Sequence, residues 1–144
     1  MVLSFPSAQW MEALIDVLNT DERYAQVAHK WEGDIFVVID PDDSSGAHTT
    51  PVAYYLDLWH GACREGEYFE PLQSIDKEPT FIFRATMTNI LKIFSGDLDP
   101  IQAMLTRRLN VEGNMAYLLR NVPTVLDFIR CCRLVAMDPP VPIS

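Results

Sequence analysis

Few residues in this 144-residue chain have types and spacings suited to catalysis or metal binding. His29, His48 and His60 fall on a predicted helix, loop and strand. No two are four residues apart and none neighbours a cysteine, so no metal-ligand spacing arises and each reads as solvent-facing or structurally bonded. Cys63 stands alone and Cys131 and Cys132 adjoin, which matches neither a spaced disulfide framework nor a zinc site; packing thiols in a reducing compartment are expected. The run Asp40-Pro41-Asp42-Asp43-Ser44-Ser45-Gly46 resembles the opening of a calcium loop. Its glycine comes one place late, however, and Pro51 stands where a bidentate Glu is needed, so it reads as a solvated turn. There is no Gly-x-Ser-x-Gly, no phosphate-binding glycine loop and no phosphate-binding lysine motif. Asp57, His60 and Glu112 are the only acid–base candidates, and nothing in the sequence brings them together.

The elements that would position these residues follow from hydrophobic periodicity. Ser7 is placed to cap a helix carrying Trp10, Ala13, Leu14, Val17 and Leu18 on one 3.6-residue stripe. Thr20 precedes a second helix in which Tyr24, Val27, Ala28 and Trp31 repeat the spacing up to Gly33. Ile35 to Ile39 is a continuous β-branched and aromatic run, too short for a helix, and reads as a strand buried on both faces. Ala53 to His60, Cys63 to Phe69 and Thr80 to Thr86 are three more strands, the middle one wetter and suited to a sheet edge. Short connections favour an antiparallel meander. Thr88 to Ser95 reads as a helix closed by Gly96. Asp99-Pro100-Ile101-Gln102 then has the form of a helix start, carrying Met104, Leu105 and Leu109 on one face. A short strand, Leu109 to Gly113, precedes a helix from Asn114, and Pro123 interrupts that helix so that a second runs from Thr124 to about Val135. The ending MDPPVPIS reads as an extended tail.

Composition narrows the class. With 49% hydrophobic and 22% charged residues, a chain of this length can bury a core without staples, and one domain spanning 1–144 is expected. The N-terminus lacks a basic stretch followed by an apolar core, and no window holds eighteen consecutive apolar residues, so neither a signal peptide nor a membrane span is read. A net charge of −9 argues against nucleic acid as a partner. The charge is unevenly placed. Residues 1–100 hold 17 acids against 6 basic residues, whereas residues 101–144 hold 3 acids against Arg107, Arg108, Arg120, Arg130 and Arg133. That last third is also unusually apolar, with Ile90, Leu91, Ile93 and Phe94 just before it and Val125 and Phe128 among the residues within it. Periodicity alone is compatible with a plain core or with helices standing off a sheet around a cavity.

Residues Thr80 to Arg120 resemble the signature half of the sterol carrier protein type 2 family. The shared features are a Phe-rich strand, a helix ending Phe-Ser-Gly-Asp-Leu, the Asp-Pro-x-x-Ala helix start, and the strand Leu-Asn-Val-Glu-Gly-Asn-Met with its following helix. GDIFVVID and YYLDLWHGACREGEYF match the family's first strands more weakly, so the resemblance spans roughly residues 20–130. It implies an α+β fold: a five-stranded, mostly antiparallel sheet with about five helices on one face, enclosing an apolar tunnel. It further implies non-enzymatic binding and transfer of fatty acid, fatty acyl-CoA, phospholipid or sterol-like ligands, with no cofactor and no metal. Under this reading Phe81, Phe83, Ile90, Phe94, Met104, Leu105, Met115, Leu118, Leu119, Val122, Leu126 and Ile129 include the ligand-lining set. Arg107, Arg108 or Arg120 would face an anionic headgroup, although many relatives have Gly-Lys where this chain has Arg107-Arg108. Transient membrane contact and a homodimer are compatible with it. The alternative is an interaction or oligomerisation module, an accessory subunit to a lipid-metabolising enzyme, using the helix that carries Phe128 and Ile129. The ending Pro-Ile-Ser is not a peroxisomal address, so a cytoplasmic location is expected.

Overall fold

The computed structural model describes residues 3–43, 49–135 and the backbone of 137–138. His48, the Ser44-Ser45-Gly46 part of the acidic loop and the end of the tail lie outside the described residues. A two-residue strand, β1 (Leu3–Ser4), leads into α1 (Ala8–Thr20), whose first turn is capped by the Ser7 hydroxyl accepting from the Trp10 N–H at 3.1 Å. The next cap is Asp21. The Asp21 carboxylate accepts from the Tyr24 N–H at 2.8 Å to start α2 (Glu22–Val27), while Thr20 turns its hydroxyl back to the Asp16 carbonyl. α2 stops short of Trp31, which leaves the helix to donate its indole N–H to the Gly33 carbonyl at 2.8 Å.

Five strands follow: β2 (Ile35–Asp40), β3 (Val52–Trp59), β4 (Ala62–Phe69), β5 (Phe81–Thr86) and β6 (Asn110–Glu112), side by side in the order β4-β3-β2-β5-β6. Three of the four pairings are antiparallel, but β2 and β5 run parallel, Ile35 opposite Phe81 and Asp40 opposite Thr86. A pure meander is therefore corrected to a mixed sheet. Asp34 accounts for the join: its carboxylate accepts from the Thr80 N–H and hydroxyl at 2.8 and 3.0 Å and from the Tyr55 hydroxyl at 2.8 Å, clamping the start of β5 beside the start of β2. Arg84 closes the far end with two bonds to Asp40, at 2.8 and 2.7 Å.

Period-2 alternation divides the sheet. Ile35, Ile39, Tyr54, Leu56, Leu58, Phe81 and Ala85 face the helices. Phe36, Val38, Ala53, Tyr55 and Phe69 face the other way, under Leu72 and Ile75 of the 70–80 segment. The helical layer is completed by α3 (Met87–Ser95), α4 (Pro100–Leu105), α5 (Met115–Arg120) and α6 (Val122–Leu134). Each of the first three begins with a side-chain cap, from Thr86, Asp99 and Asn114. Gly96, at φ 90°, ends α3 in the left-handed conformation that a Cβ disfavours. α4 ends at Leu105, so Leu109 does not extend it. Pro123 sits in the first turn of α6, where a missing N–H removes no helix bond; the break from α5 falls at Asn121. The tail starts as β7 (Met137–Asp138), parallel to β1.

Candidate functional site

Between the sheet and helices α3, α4 and α6 lies an apolar cavity of about 90 Å³. β2 and β3 supply Ile35, Val37 and Leu58, β5 supplies Phe83, and α3 supplies Ile90, Ile93 and Phe94. Met104 and Pro100 close it from α4, Leu109 from the following turn, and Val125, Phe128 and Ile129 from α6. Tyr24, Trp31 and Thr124 also line it. Among the described residues no charged side chain lines it. The Thr124 hydroxyl is engaged, donating to the Val27 carbonyl at 3.3 Å.

Of the side chains expected to line a ligand site, Phe83, Ile90, Phe94, Met104 and Ile129 border the cavity. Phe81 and Leu118 are fully buried in the surrounding core instead. Leu105 (74% exposed), Leu119 (53%), Leu126 (45%) and Met115 (37%) face outward, and half-buried Val122 does not border the cavity. For Leu105, Met115 and Leu119 the reason is geometric: α4 and α5 have only six residues each, fewer than two turns, so spacing could not fix which side faces in. Tyr24, Trp31, Ile35, Val37 and Leu58 were missed as lining residues because they come from elements distant in sequence; the Tyr24–Trp31 spacing signalled burial but not its neighbours.

The five C-terminal arginines split into two groups. Arg133 donates to the Phe94 carbonyl, tying α6 to α3. Arg130 bonds Asp127 at 2.8 and 3.1 Å and Asp21 at 2.6 Å, and Arg23 adds an ion pair to Asp127 at 3.2 Å. The Arg130 bond, aided by the Tyr24 N–H, holds the Asp21 carboxyl below the usual carboxylate range. Asp21, Asp127 and Cys131 bring ligand-type atoms within 4.8 Å of one another, but Arg130 already supplies positive charge to both carboxylates. Arg107, Arg108 and Arg120 are exposed, and no side-chain hydrogen bond or ion pair engages them among the described residues. Arg107 and Arg108 lie in the turn between two cavity residues, Met104 and Leu109.

The acid–base candidates do not meet. Asp57 binds Arg64 at 3.0 and 3.1 Å, His60 binds Glu32 at 2.6 Å on an exposed turn, and Glu112 is exposed on β6. None borders the cavity. The three cysteines are buried and free; burial pushes the Cys63 thiol up to about 12 and Cys131 up to about 11, and raises Cys132 well above its usual value. Within the described part of the acidic loop, Asp40 is taken up by Arg84 and Asp42 accepts from the Thr88 N–H at 3.1 Å.

The sequence model of the SCP-2 sterol transfer family matches residues 14–125. A crystal structure of sterol carrier protein 2 superimposes with a TM-score of 0.79 at 30% identity, covering 90% of this chain and 98% of its own. The chain belongs to the SCP-2 sterol transfer family. A second SCP-2-like structure, that of a conserved hypothetical protein from Thermus thermophilus, superimposes at 0.78 with 28% identity, covering 94% of this chain and 92% of its own. The apo form of sterol carrier protein 2 from Yarrowia lipolytica shares the fold alone, at TM-score 0.59 and 15% identity, over 93% and 97% of the two chains. Among curated proteins none matches the sequence. As an SCP-2 family member the chain is placed among lipid- and sterol-transfer proteins, and none of its described helices is long and apolar enough to cross a membrane.

Proposed function

We propose that this chain binds apolar lipids non-covalently in the cavity between the sheet and α3, α4 and α6, and carries them between membranes as a single unit without acting as an enzyme. The observation that carries the reading is the uncharged lining in a molecule of net charge −9. Each buried methylene contributes about 0.8 kcal/mol, so ten supply about 8 kcal/mol before ordering costs. At about 90 Å³ the cavity is smaller than an engineered cavity of about 150 Å³ that takes up benzene, so a lipid chain requires a wall to move. α4 is the wall suited to this, with only Pro100 and Ala103 of its residues buried. Arg107 and Arg108, following α4, would meet an anionic headgroup or the surface of an anionic membrane in the cytoplasm, with Leu105 beside them.

Organic extraction and mass spectrometry of the purified protein test this. A recurring lipid at one per chain is expected, with oleate displacing it. A protein that carries no lipid and binds no oleate would refute it. The exposed Leu119, Leu126 and Leu134 favour a second reading, a surface for a partner protein or a second copy. Stable self-association with no lipid bound would select that reading.

A further inference from the structure

The strand register gives the cavity a direction. Ile35 on β2 stands opposite Leu56 on β3 and Phe81 on β5, whereas Val38 stands opposite Arg84, itself opposite Asn110 on β6. Three residues of strand, about 10 Å, separate these two levels. The lining runs from one to the other. Ile35 and Leu58 lie at or beyond the first level, Val37 and Phe83 lie between, and Leu109, next to Asn110, lies at the second. Arg107 and Arg108 precede Leu109 in the turn, so they belong to the second end. Trp31 belongs to the first, its ring 5.6 Å from that of Phe81.

Trp31 is held rigidly there. It is 4% exposed, and its indole N–H donates to the Gly33 carbonyl at 2.8 Å. Its backbone N–H donates to the Ala28 carbonyl at 2.9 Å and its carbonyl accepts from the His60 N–H at 2.7 Å. With each polar group engaged, what it offers the cavity is carbon. Its ring packs against two others that do not border the cavity, Phe81 and Tyr117, the second at 5.2 Å. Tyr117 is anchored in turn, its hydroxyl accepting from the Glu32 N–H at 3.0 Å. By contrast Met104 on α4 and Val125, Phe128 and Ile129 on α6 are only half-buried, which leaves the helical side free to yield.

We infer that Trp31 is a specificity-determining residue: it is the fixed stop against which the tail of a bound acyl chain ends, and it sets the longest chain the cavity takes. The inference rests on the lipid-binding reading and adds a limit on the ligand. A cavity that grows by displacement of its helices keeps its Trp31 end. A chain whose head lies at the arginine turn meets the indole with its methyl end, and each methylene beyond the limit stays in water.

The test measures the binding of straight-chain fatty acids from octanoate to palmitate by isothermal titration calorimetry. While each added methylene is buried, affinity rises about four-fold, the equivalent of about 0.8 kcal/mol. In wild type that rise should stop at one chain length. In Trp31→Leu the stop should move to a longer chain, so that the first acid past the wild-type limit gains about four-fold over the last within it. Trp31→Phe keeps an aromatic ring against Phe81 and Tyr117 and should favour the same longer acid; it carries the test if the leucine variant does not fold. Phe36→Leu, on the other face of the sheet, costs core packing without bordering the cavity and should leave the stop in place. A stop unmoved by the Trp31 variants, one moved equally by Phe36→Leu, or no stop in wild type would overturn the role of Trp31 while the lipid-binding reading stands. Failure of wild type to bind any of the acids would overturn both.

Discussion

Asp127→Ala tests whether the ion network behind the cavity holds α6 in place. The Asp127 side chain is 3% exposed, that of Arg130 28% and that of Arg23 70%. The substitution removes two charge-assisted bonds from Arg130, at 2.8 and 3.1 Å, and the ion pair with Arg23. An ion pair as exposed as that of Arg23 contributes about 0.5 kcal/mol or less. Stranding a fully buried partner costs about 3–5 kcal/mol, but Arg130 is partly hydrated and keeps its bond to Asp21, so the expected loss is about 2–3 kcal/mol. In a domain of this size that lowers the unfolding midpoint by about 5–10 °C. Urea unfolding of wild type, Asp127→Ala, Arg130→Ala and the double variant closes a thermodynamic cycle, and a coupling of at least about 1 kcal/mol is expected. A coupling below about 0.5 kcal/mol with an unchanged denaturant slope would refute the argument that these bonds, rather than apolar packing alone, anchor α6.

The Arg107→Ala, Arg108→Ala double variant should lower the affinity for palmitate relative to hexadecanol by about three- to ten-fold at low salt, with the difference fading as salt rises; an unchanged ratio removes the headgroup role. Asp21, whose carboxyl titrates below its free value of 3.8 because Arg130 stabilises the ionised form, contributes stability above that pH and loses it as pH falls through its folded-state pKa. The stability gap between wild type and Asp21→Asn should therefore close on acidification below pH 3.8, and a gap that persists or grows contradicts this. Gly113→Ala should cost at least about 2 kcal/mol in thermal or urea unfolding, since φ is +139° and a Cβ would stand 2.6 Å from the Thr80 carbonyl oxygen and 2.5 Å from the Phe81 ring. All three thiols should resist a disulfide-exchange reagent at pH 8 until the chain unfolds, because they are buried and their thiolates disfavoured; rapid labelling of the folded protein would show otherwise.

How much was legible depended on the range of the interaction involved. Ser7 and Asp99 were readable as caps because the hydroxyl or carboxylate meets an N–H three residues on, within one turn. Asp21 caps the second helix through an equally local bond to the Tyr24 N–H, while the Thr20 hydroxyl serves the preceding helix. The strand from Ile35 was readable as buried on both faces, but its parallel partner was not. The bonds that select β5 run from Asp34 to Thr80 across 46 residues, and neither residue type advertises the other.

The sequence by itself determined the element types, most of the caps, the α+β class and the family, because each depends on residue type at short spacing or on motifs in order. It also placed the apolar surplus and the arginines in the last third. Only the tertiary structure decided which of those groups serve a site. It committed Arg130 and Arg133 to bonds within the fold and turned Leu105, Leu119 and Leu126 outward. It brought Tyr24, Trp31, Ile35 and Leu58 to a cavity shared with Met104 and Ile129. A cavity wall is assembled from side chains on separate elements, and the rotation of a six-residue helix about its axis is set by what it packs against rather than by its own spacing.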